Sequence, residues 1–498
     1  MSKGFIRFTF YFALLLSFVN CSKETGPIRE SCSLVTKCSE VSNFRSQHEF
    51  AVTESDVCDY INRQEYPKEI LYIEEIRDIV DGRVYAYVAH FPSGWEIFSS
   101  DKRMPPIMAY SDDGNFIINE RNLGLKGWLN SLKQLTLLVE NEATLKANIH
   151  TEAWMGSPLS SEIQKGLNSM VSSQNRDNST LWSKCMTDYV YDNPNQFLIG
   201  PLVQTQWGQY FPWYTKLWNP YTNLYHATGC VAIAISQLLY YYHNYLGVPS
   251  GLYHNISITN WNHYNYYSVN YYTTSLSRTN FISPSPRWNQ MIKIASEYNS
   301  LDSTTVLGAQ YVSDLMTDVG NRAGMQYNAD GLASGSFSNG VGELYSFGLD
   351  ASYSQYTDSL ALLNIASYKP FMIIGETASG YNKHAWVIDG YRESGYTKQT
   401  IITWHLGYNP SVWPGCVCAT QEEATAAALA AGYEKPEDGM TTFEYYNYPP
   451  YNKKFHMNWG FDGESDGYYL NTDSVTINNV TYGFTTNQYI THNIRIHE

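Results

Sequence analysis

Cys230 is preceded by His226-Ala227-Thr228-Gly229 and followed at once by the apolar run Val231-Ala232-Ile233-Ala234-Ile235, then Ser236-Gln237-Leu238-Leu239. That order predicts a thiol in the first turn of a helix. There, unpaired backbone N–H groups and the positive end of the helix dipole favour thiolate over thiol, so a nucleophile able to attack a carbonyl can exist near neutral pH. A lone cysteine in an apolar helix is ordinarily a small buried hydrophobe. The chemical reading therefore needs a base and an oxyanion donor elsewhere in the chain.

Two later stretches offer partners. His384 opens Lys383-His384-Ala385-Trp386-Val387-Ile388-Asp389-Gly390, a run that reads as a strand ended by glycine, and is the best general-base candidate among 12 histidines. Further on, Phe455-His456-Met457-Asn458-Trp459-Gly460 precedes the acidic turn Asp462-Gly463-Glu464-Ser465-Asp466-Gly467 and Tyr468-Tyr469. The turn lacks the spacing and terminal glutamate of an EF-hand loop. Cys416-Val417-Cys418 likewise lacks the C-x-x-C spacing and second ligand pair of structural zinc. Neither metal nor cofactor is expected.

Together these stretches resemble the streptopain family of secreted bacterial cysteine peptidases, papain-like in fold. The resemblance is carried by His226 to Cys230, His384 to Gly390, Asn458-Trp459-Gly460 and Asp466 to Tyr469. It extends to Trp207-Gly208-Gln209 and a helix over Val312 to Gly320, and so covers most of residues 200–490. Papain-like peptidases place the histidine roughly 130–150 residues after the nucleophile, and His384 falls slightly beyond that range.

The resemblance implies an α+β peptidase domain, with a central helix carrying the nucleophile packed on an antiparallel sheet. It implies Cys230 as the nucleophile that forms a thioester, and His384 as its base and as proton donor to the leaving amine. Gln209, with the backbone N–H of Cys230, would form the oxyanion hole, where one donor is worth roughly 3–4 kcal/mol. Gln204 and Gln206 are weaker candidates for that part. Trp459 would shield the pair from water. In many papain-like enzymes the histidine-orienting asparagine stands two positions before the tryptophan, but here Met457 holds that place. Adjacent strand residues face opposite sides. The expectation is thus a Cys–His dyad supported by Trp459, with Asn458 counted as supporting although its side chain should face away from the indole.

Following the chain gives the elements that must position these residues. Lys3 and Arg7, then Phe8 to Val19, form an export signal too short to span a bilayer as a stable helix. Asn20-Cys21-Ser22 resembles a lipoprotein signal with Cys21 lipidated; Phe18-Val19-Asn20 lacks the usual small residues, which leaves an ordinary signal peptidase as the alternative. Residues 1–21 are the signal and 22–48 a polar tether. Residues 49–147 form a small α+β module, with strands at Val84–Phe91 and Gly94–Ser99 and an amphipathic helix from Leu123 to Leu138. Its stretch from Val84 to Asp112 is similar to the family's inhibitory prodomain. Residues 148–195, rich in Ser, Asn, Asp and Gln, read as an exposed connection whose cleavage would free a peptidase starting near Asn195. The peptidase domain spans 196–498. Its insertion at about 392–453 carries a capping-box helix start at Thr420-Gln421-Glu422-Glu423 and would be either a specificity flap or a surface decoration.

A net charge of −15 over 498 residues argues against nucleic acid or anionic membrane as the main partner. A membrane contact is expected only through the N-terminal lipid. Setting Cys21 and Cys230 aside leaves six of eight cysteines, enough for three disulfides in an oxidising compartment. The reading is an exported zymogen, at the cell surface or outer membrane as a lipoprotein or secreted after processing. It would hydrolyse proteins or peptides and be held silent by its own prodomain. A catalytically silent surface binding protein and a thiol-dependent acyltransferase are the other classes these residues allow.

Overall fold

The computed structural model describes residues 49–64, 67–141, 147–155, 181–219, 223–246, 262–266, 269–273, 288–328, 333–335, 337–376, 383–407, 416–430, 432–433, 435, 437–447, 452–470, 475–477, 480–482 and 488–496. The export signal, Cys21, the tether and residues 156–180 of the connection lie outside them. Among the described residues no helix is long and apolar enough to cross a membrane.

The N-terminal module comprises α1 (Glu54–Asn62), β1 (Tyr72–Arg77), β2 (Val84–His90), β3 (Trp95–Ser99), β4 (Ile107–Ser111), α2 (Leu123–Asn141) and α3 (Ile149–Met155). Both expected strands and the helix from Leu123 are present. Thr53 and Asp56 close a reciprocal capping box that starts α1. In α2, Leu125, Trp128, Leu129, Leu132, Leu135 and Val139 recur at helical spacing and enter the main core.

The C-terminal region contains β5 (Leu181–Ile199), β6 (Trp218–Asn219), β7 (Leu224–Tyr225), α4 (Cys230–Leu246), β8 (Asn262–Tyr266), β9 (Val269–Thr273), α5 (Ser303–Arg322), β10 (Gln326–Asn328) and β11 (Ala333–Ser334). There follow α6 (Phe337–Glu343), β12 (Leu349–Gln355), α7 (Asp358–Ala366), β13 (Phe371–Glu376), β14 (Lys383–Leu406), β15 (Val417–Thr420), α8 (Gln421–Ala430), β16 (Thr441–Asn447), β17 (Asn452–Asn458), β18 (Gly467–Leu470), β19 (Val475–Ile477), β20 (Val480–Tyr482) and β21 (Tyr489–Ile496).

The main sheet runs β1-β2-β3-β4-β18-β17-β14-β13-β21-β12, with β5 and β16 also paired to β14 and β15 to β5. The module's strands therefore continue into the sheet of the C-terminal region, through the antiparallel partners Tyr110 with Tyr468 and Ala109 with Tyr469. This is the expected α+β arrangement: α4 lies on β14, with α5 against it. Val231, Ala232, Ile233, Ala234, Ile235, Leu238, Leu239 and Tyr242 are all buried, so α4 is apolar on every side because it is enclosed on every side.

Residues 181–195, expected in an exposed connection, instead belong to β5, which pairs with β14 from Trp182–Leu406 to Ile199–Tyr391. Polar composition misleads here, because a strand needs only its backbone groups satisfied, and β14 does that. The distal half of β14 joins β5, β15, β16 and α8 in a blade with its own small core of Trp182, Ile402, Trp404 and Ala424. The capping box at α8 forms: Thr420 N–H donates to Glu423 Oε2 and Glu423 N–H to Thr420 Oγ1, each at 3.2 Å. Cys185 and Cys416 are disulfide-bonded and tie the insertion to β5; Cys32 and Cys38 lie outside the described residues. The insertion also receives α3, with His150 Nδ1 3.0 Å from the Tyr396 hydroxyl.

Candidate active site

Gly229 turns the chain into α4 with φ of +89°, a left-handed conformation suited to glycine. Its carbonyl accepts the N–H of Ile233 at 3.1 Å, so Cys230 sits in the first helical turn as expected. The thiol is free. Its acidity differs from the expectation. Burial pushes the Cys230 thiol up, and the backbone N–H groups of Ala385, Val231 and Cys230 itself, which face the sulfur and favour thiolate, do not overcome it.

The N–H of Ala385 at the sulfur brings the start of β14, and with it His384, to the cysteine. His384 is buried and its Nε2 donates to the backbone carbonyl of Trp459 at 3.1 Å. That bond fixes the tautomer: the proton is on Nε2, and Nδ1 keeps its lone pair for a thiol. Burial drives the imidazole down to about 4, against the pull of the Trp459 carbonyl. Thiol and imidazole are thus both held neutral here.

Gln209 lies in the loop before α4. Its carbonyl accepts the N–H of Thr228 at 3.0 Å, which anchors it two residues ahead of Cys230. The other two glutamines are engaged elsewhere: Gln204 Oε1 accepts from Lys293 Nζ at 2.8 Å, and Gln206 packs against Gly463.

Trp459 is buried beside Trp386 and Tyr469, and its indole N–H donates to the Ser465 carbonyl at 3.1 Å. Asn458 faces away, as strand alternation requires. Its Oδ1 accepts from Gln237 Nε2 at 3.0 Å, and its Nδ2 donates to the Thr205 carbonyl at 2.8 Å. It links α4 to the chain entering the Gln209 loop, and the histidine is oriented by a main-chain carbonyl instead. A backbone group of this kind leaves no mark in a sequence beyond the residue that carries it.

The turn after Trp459 braces both sides of the site. Asp462 accepts the indole N–H of Trp213 at 2.5 Å, on the Gln209 loop. Asp466 accepts the backbone N–H of Trp459 at 2.8 Å. Two of the turn's acidic residues, Asp462 and Asp466, are thus turned on tryptophan donors.

One module segment lies on the histidine side of this group and on its flanking turns. Ser465 Oγ donates to the Ile117 carbonyl at 2.8 Å and accepts the Ile117 N–H at 2.9 Å, and Asn119 Nδ2 donates to Glu464 at 3.0 Å. The Arg121 guanidinium lies over the Tyr210 ring, 4.8 Å from its centre. Asn122 Oδ1 accepts the Leu125 N–H at 3.0 Å and starts α2, which delivers Gly124 onto His384 and Trp459. The sequence marked Val84 to Asp112 as prodomain-like but gave no sign that residues 115–124 reach the histidine.

The model of the Peptidase C10 family matches residues 207–409. Among solved structures, a fragment of Prevotella intermedia prointerpain A is similar at 18% identity and a TM-score of 0.45, over 84% of this chain and 98% of that one. Active wild-type interpain A cysteine protease of the same organism is similar at 20% identity and a TM-score of 0.35, over 59% and 94%. The comparison with curated proteins gave no match.

Proposed function

Over residues 207–409 the chain belongs to the Peptidase C10 family and is a cysteine-type peptidase, and from that premise we propose an exported endopeptidase made as a zymogen, working through a Cys230–His384 dyad. The observation that carries the proposal is the seating of Gly124 on His384 and Trp459 while Arg121 covers Tyr210 beside Gln209. With Gly124 seated on the imidazole, a substrate chain cannot lie against His384 at that place.

The covered state also disarms the pair electrically. Desolvation resists charging of both the part-buried thiol and the buried imidazole, so the thiolate–imidazolium form is disfavoured. Departure of the module admits water, relieves that penalty, and lets the helix end and the Ala385 N–H favour thiolate. Cys230 then attacks the scissile carbonyl; the developing oxyanion is met by the Cys230 N–H and Gln209. His384 passes the proton to the leaving amine, and water, deprotonated by the same imidazole, releases the thioester.

Export rests on the Lys3-to-Val19 signal, and the lipid on Cys21. The cut that frees the enzyme belongs before Leu181, within residues 156–180, because β5 is part of the catalytic sheet and disulfide-tied to the insertion.

Full-length protein tests the reading. Wild type should shorten with time and Cys230→Ala should not; a thiol-directed active-site label should land on Cys230. Equal shortening of both proteins would mean that another protease matures the chain, and label elsewhere would remove Cys230 as nucleophile.

A further inference from the structure

Asp466 and His384 are joined by a single residue. The Asp466 carboxylate accepts the backbone N–H of Trp459 at 2.8 Å, and the carbonyl of the same Trp459 accepts from His384 Nε2 at 3.1 Å. The N–H lies in the peptide plane before Trp459 and the carbonyl in the plane after it, so Asp466 holds the first plane, and the buried indole, bonded to the Ser465 carbonyl at 3.1 Å, leaves little rotation about the Trp459 α-carbon by which the carbonyl could turn away. We propose that Asp466 is a positioning residue for His384, acting through the backbone of Trp459. The inference rests on the Cys230–His384 reading above.

Three features set Asp466 apart from a residue that merely precedes a strand. It is 7% exposed, where a carboxylate is costly unless it is bonded, so a neutral residue would serve a plain turn better. The return from Trp459 to Asp466 takes left-handed backbone at Gly460, Asp462, Gly463 and Ser465, with φ of +76°, +57°, +80° and +59°. At the two non-glycine positions that conformation is one L-residues seldom adopt without compensation. The bonds of Asp462 to Trp213 and of Ser465 to Ile117 supply it and hold the turn in the one shape that returns Asp466 to Trp459. Finally, the charged groups around Asp466 are arranged on both sides: His456, itself held 2.6 Å from Asp389, favours the carboxylate, while Asp389 and Asp113 oppose it. Burial is the largest influence and pushes the carboxyl up to about 7.

The test compares full-length wild type, Asp466→Asn and Asp466→Ala, each matured in trans by a trace of wild-type enzyme. Two quantities are read: kcat and KM on a denatured protein across pH, and the pH dependence of Cys230 alkylation by iodoacetamide, located by mass spectrometry. Asp466→Ala should lower kcat by about 10–100-fold, part of what a placed general base contributes, with KM within about threefold. Its Cys230 alkylation midpoint should move to higher pH, because a misdirected imidazole supports the thiolate less. Asp466→Asn, whose amide oxygen can still accept the Trp459 N–H, should recover to within about fivefold of wild type. If Asp466→Ala does not fold, Asp466→Ser, polar but too short to reach, takes its place with the same expectations. Wild-type kcat in the short variant, an unmoved alkylation midpoint, or an asparagine variant no better than alanine would each overturn the proposal. Wild-type protein without turnover and without Cys230 alkylation would overturn the dyad reading instead.

Discussion

Gly124 lies so close to His384 that a β-carbon built on it would stand 2.7 Å from the imidazole Cδ2 and 2.6 Å from Cζ3 of Trp459. The module and the site are fitted to each other at a residue with no side chain.

Gly124→Ala follows directly. In a free helix alanine would be favoured by about 1 kcal/mol over glycine; on this surface it meets two aromatic rings with little room to move. The variant should dock its module less tightly and mature several-fold faster, seen in a time course of chain shortening. Slower maturation would mean that helix propensity outweighs the collision and that the close fit is unimportant to latency.

Acid should loosen the module. His384, beneath α2, and His150, on α3 against Tyr396, are each driven by burial down to about 4. A histidine whose pKa in the docked state lies below its free value of about 6.5 takes up a proton on release. Docking strength is therefore full above about pH 6.5 and declines as pH falls toward 4. Asp466 carries the opposite sign: burial pushes it up to about 7, so the folded turn binds a proton that the unfolded chain does not, and this contribution grows toward acid. Maturation should accelerate between pH 6.5 and 4 before the catalytic region unfolds, and an equal rate at neutral and acid pH would contradict the sign.

Asn458 should behave as a structural residue. Asn458→Ala leaves Gln237 and the Thr205 carbonyl short of partners in a buried site, a loss of about 1–3 kcal/mol in unfolding free energy. The pH profile of Cys230 alkylation should move less than in Asp466→Ala, because Asn458 reaches the peptide that carries the Trp459 carbonyl only through the 3.3 Å bond from the Gly460 N–H. Movement as large as in Asp466→Ala with no loss of stability would return Asn458 to the catalytic group.

The mature N-terminus should lie before Leu181. A mass spectrum of the shortened form should retain β5 and the Cys185–Cys416 bond, which closes a loop with a sequence separation of 231. Cys185→Ser should cost about 2–5 kcal/mol of stability. A mature form beginning near Asn195 would require β5 to be stripped from β14.

The features that could be read in advance were those written in local periodicity. The apolar run after Cys230 gave α4, the run after His384 gave the start of β14, and Thr420 with Glu423 gave the cap of α8. Each depends on neighbours in sequence. What stayed hidden depends on neighbours in space. The group that orients His384 is a carbonyl, common to every residue type, and Gly124 looks like any helical glycine until the imidazole beneath it is seen. The helix end argued for a more acidic Cys230, yet burial outweighs it, which no spacing of residues foretells.

The pairing of Tyr468 and Tyr469 with Tyr110 and Ala109 makes the precursor's sheet continuous across the boundary that maturation must break. When the module leaves, β18 turns from an interior strand into a border, and its amides and carbonyls lose partners that only water or another extended chain can replace. If the proposed zymogen is activated by release of the module, both pieces would carry freshly bared sheet margins, each a template for adhesion, on the face where β4 and β18 now pair.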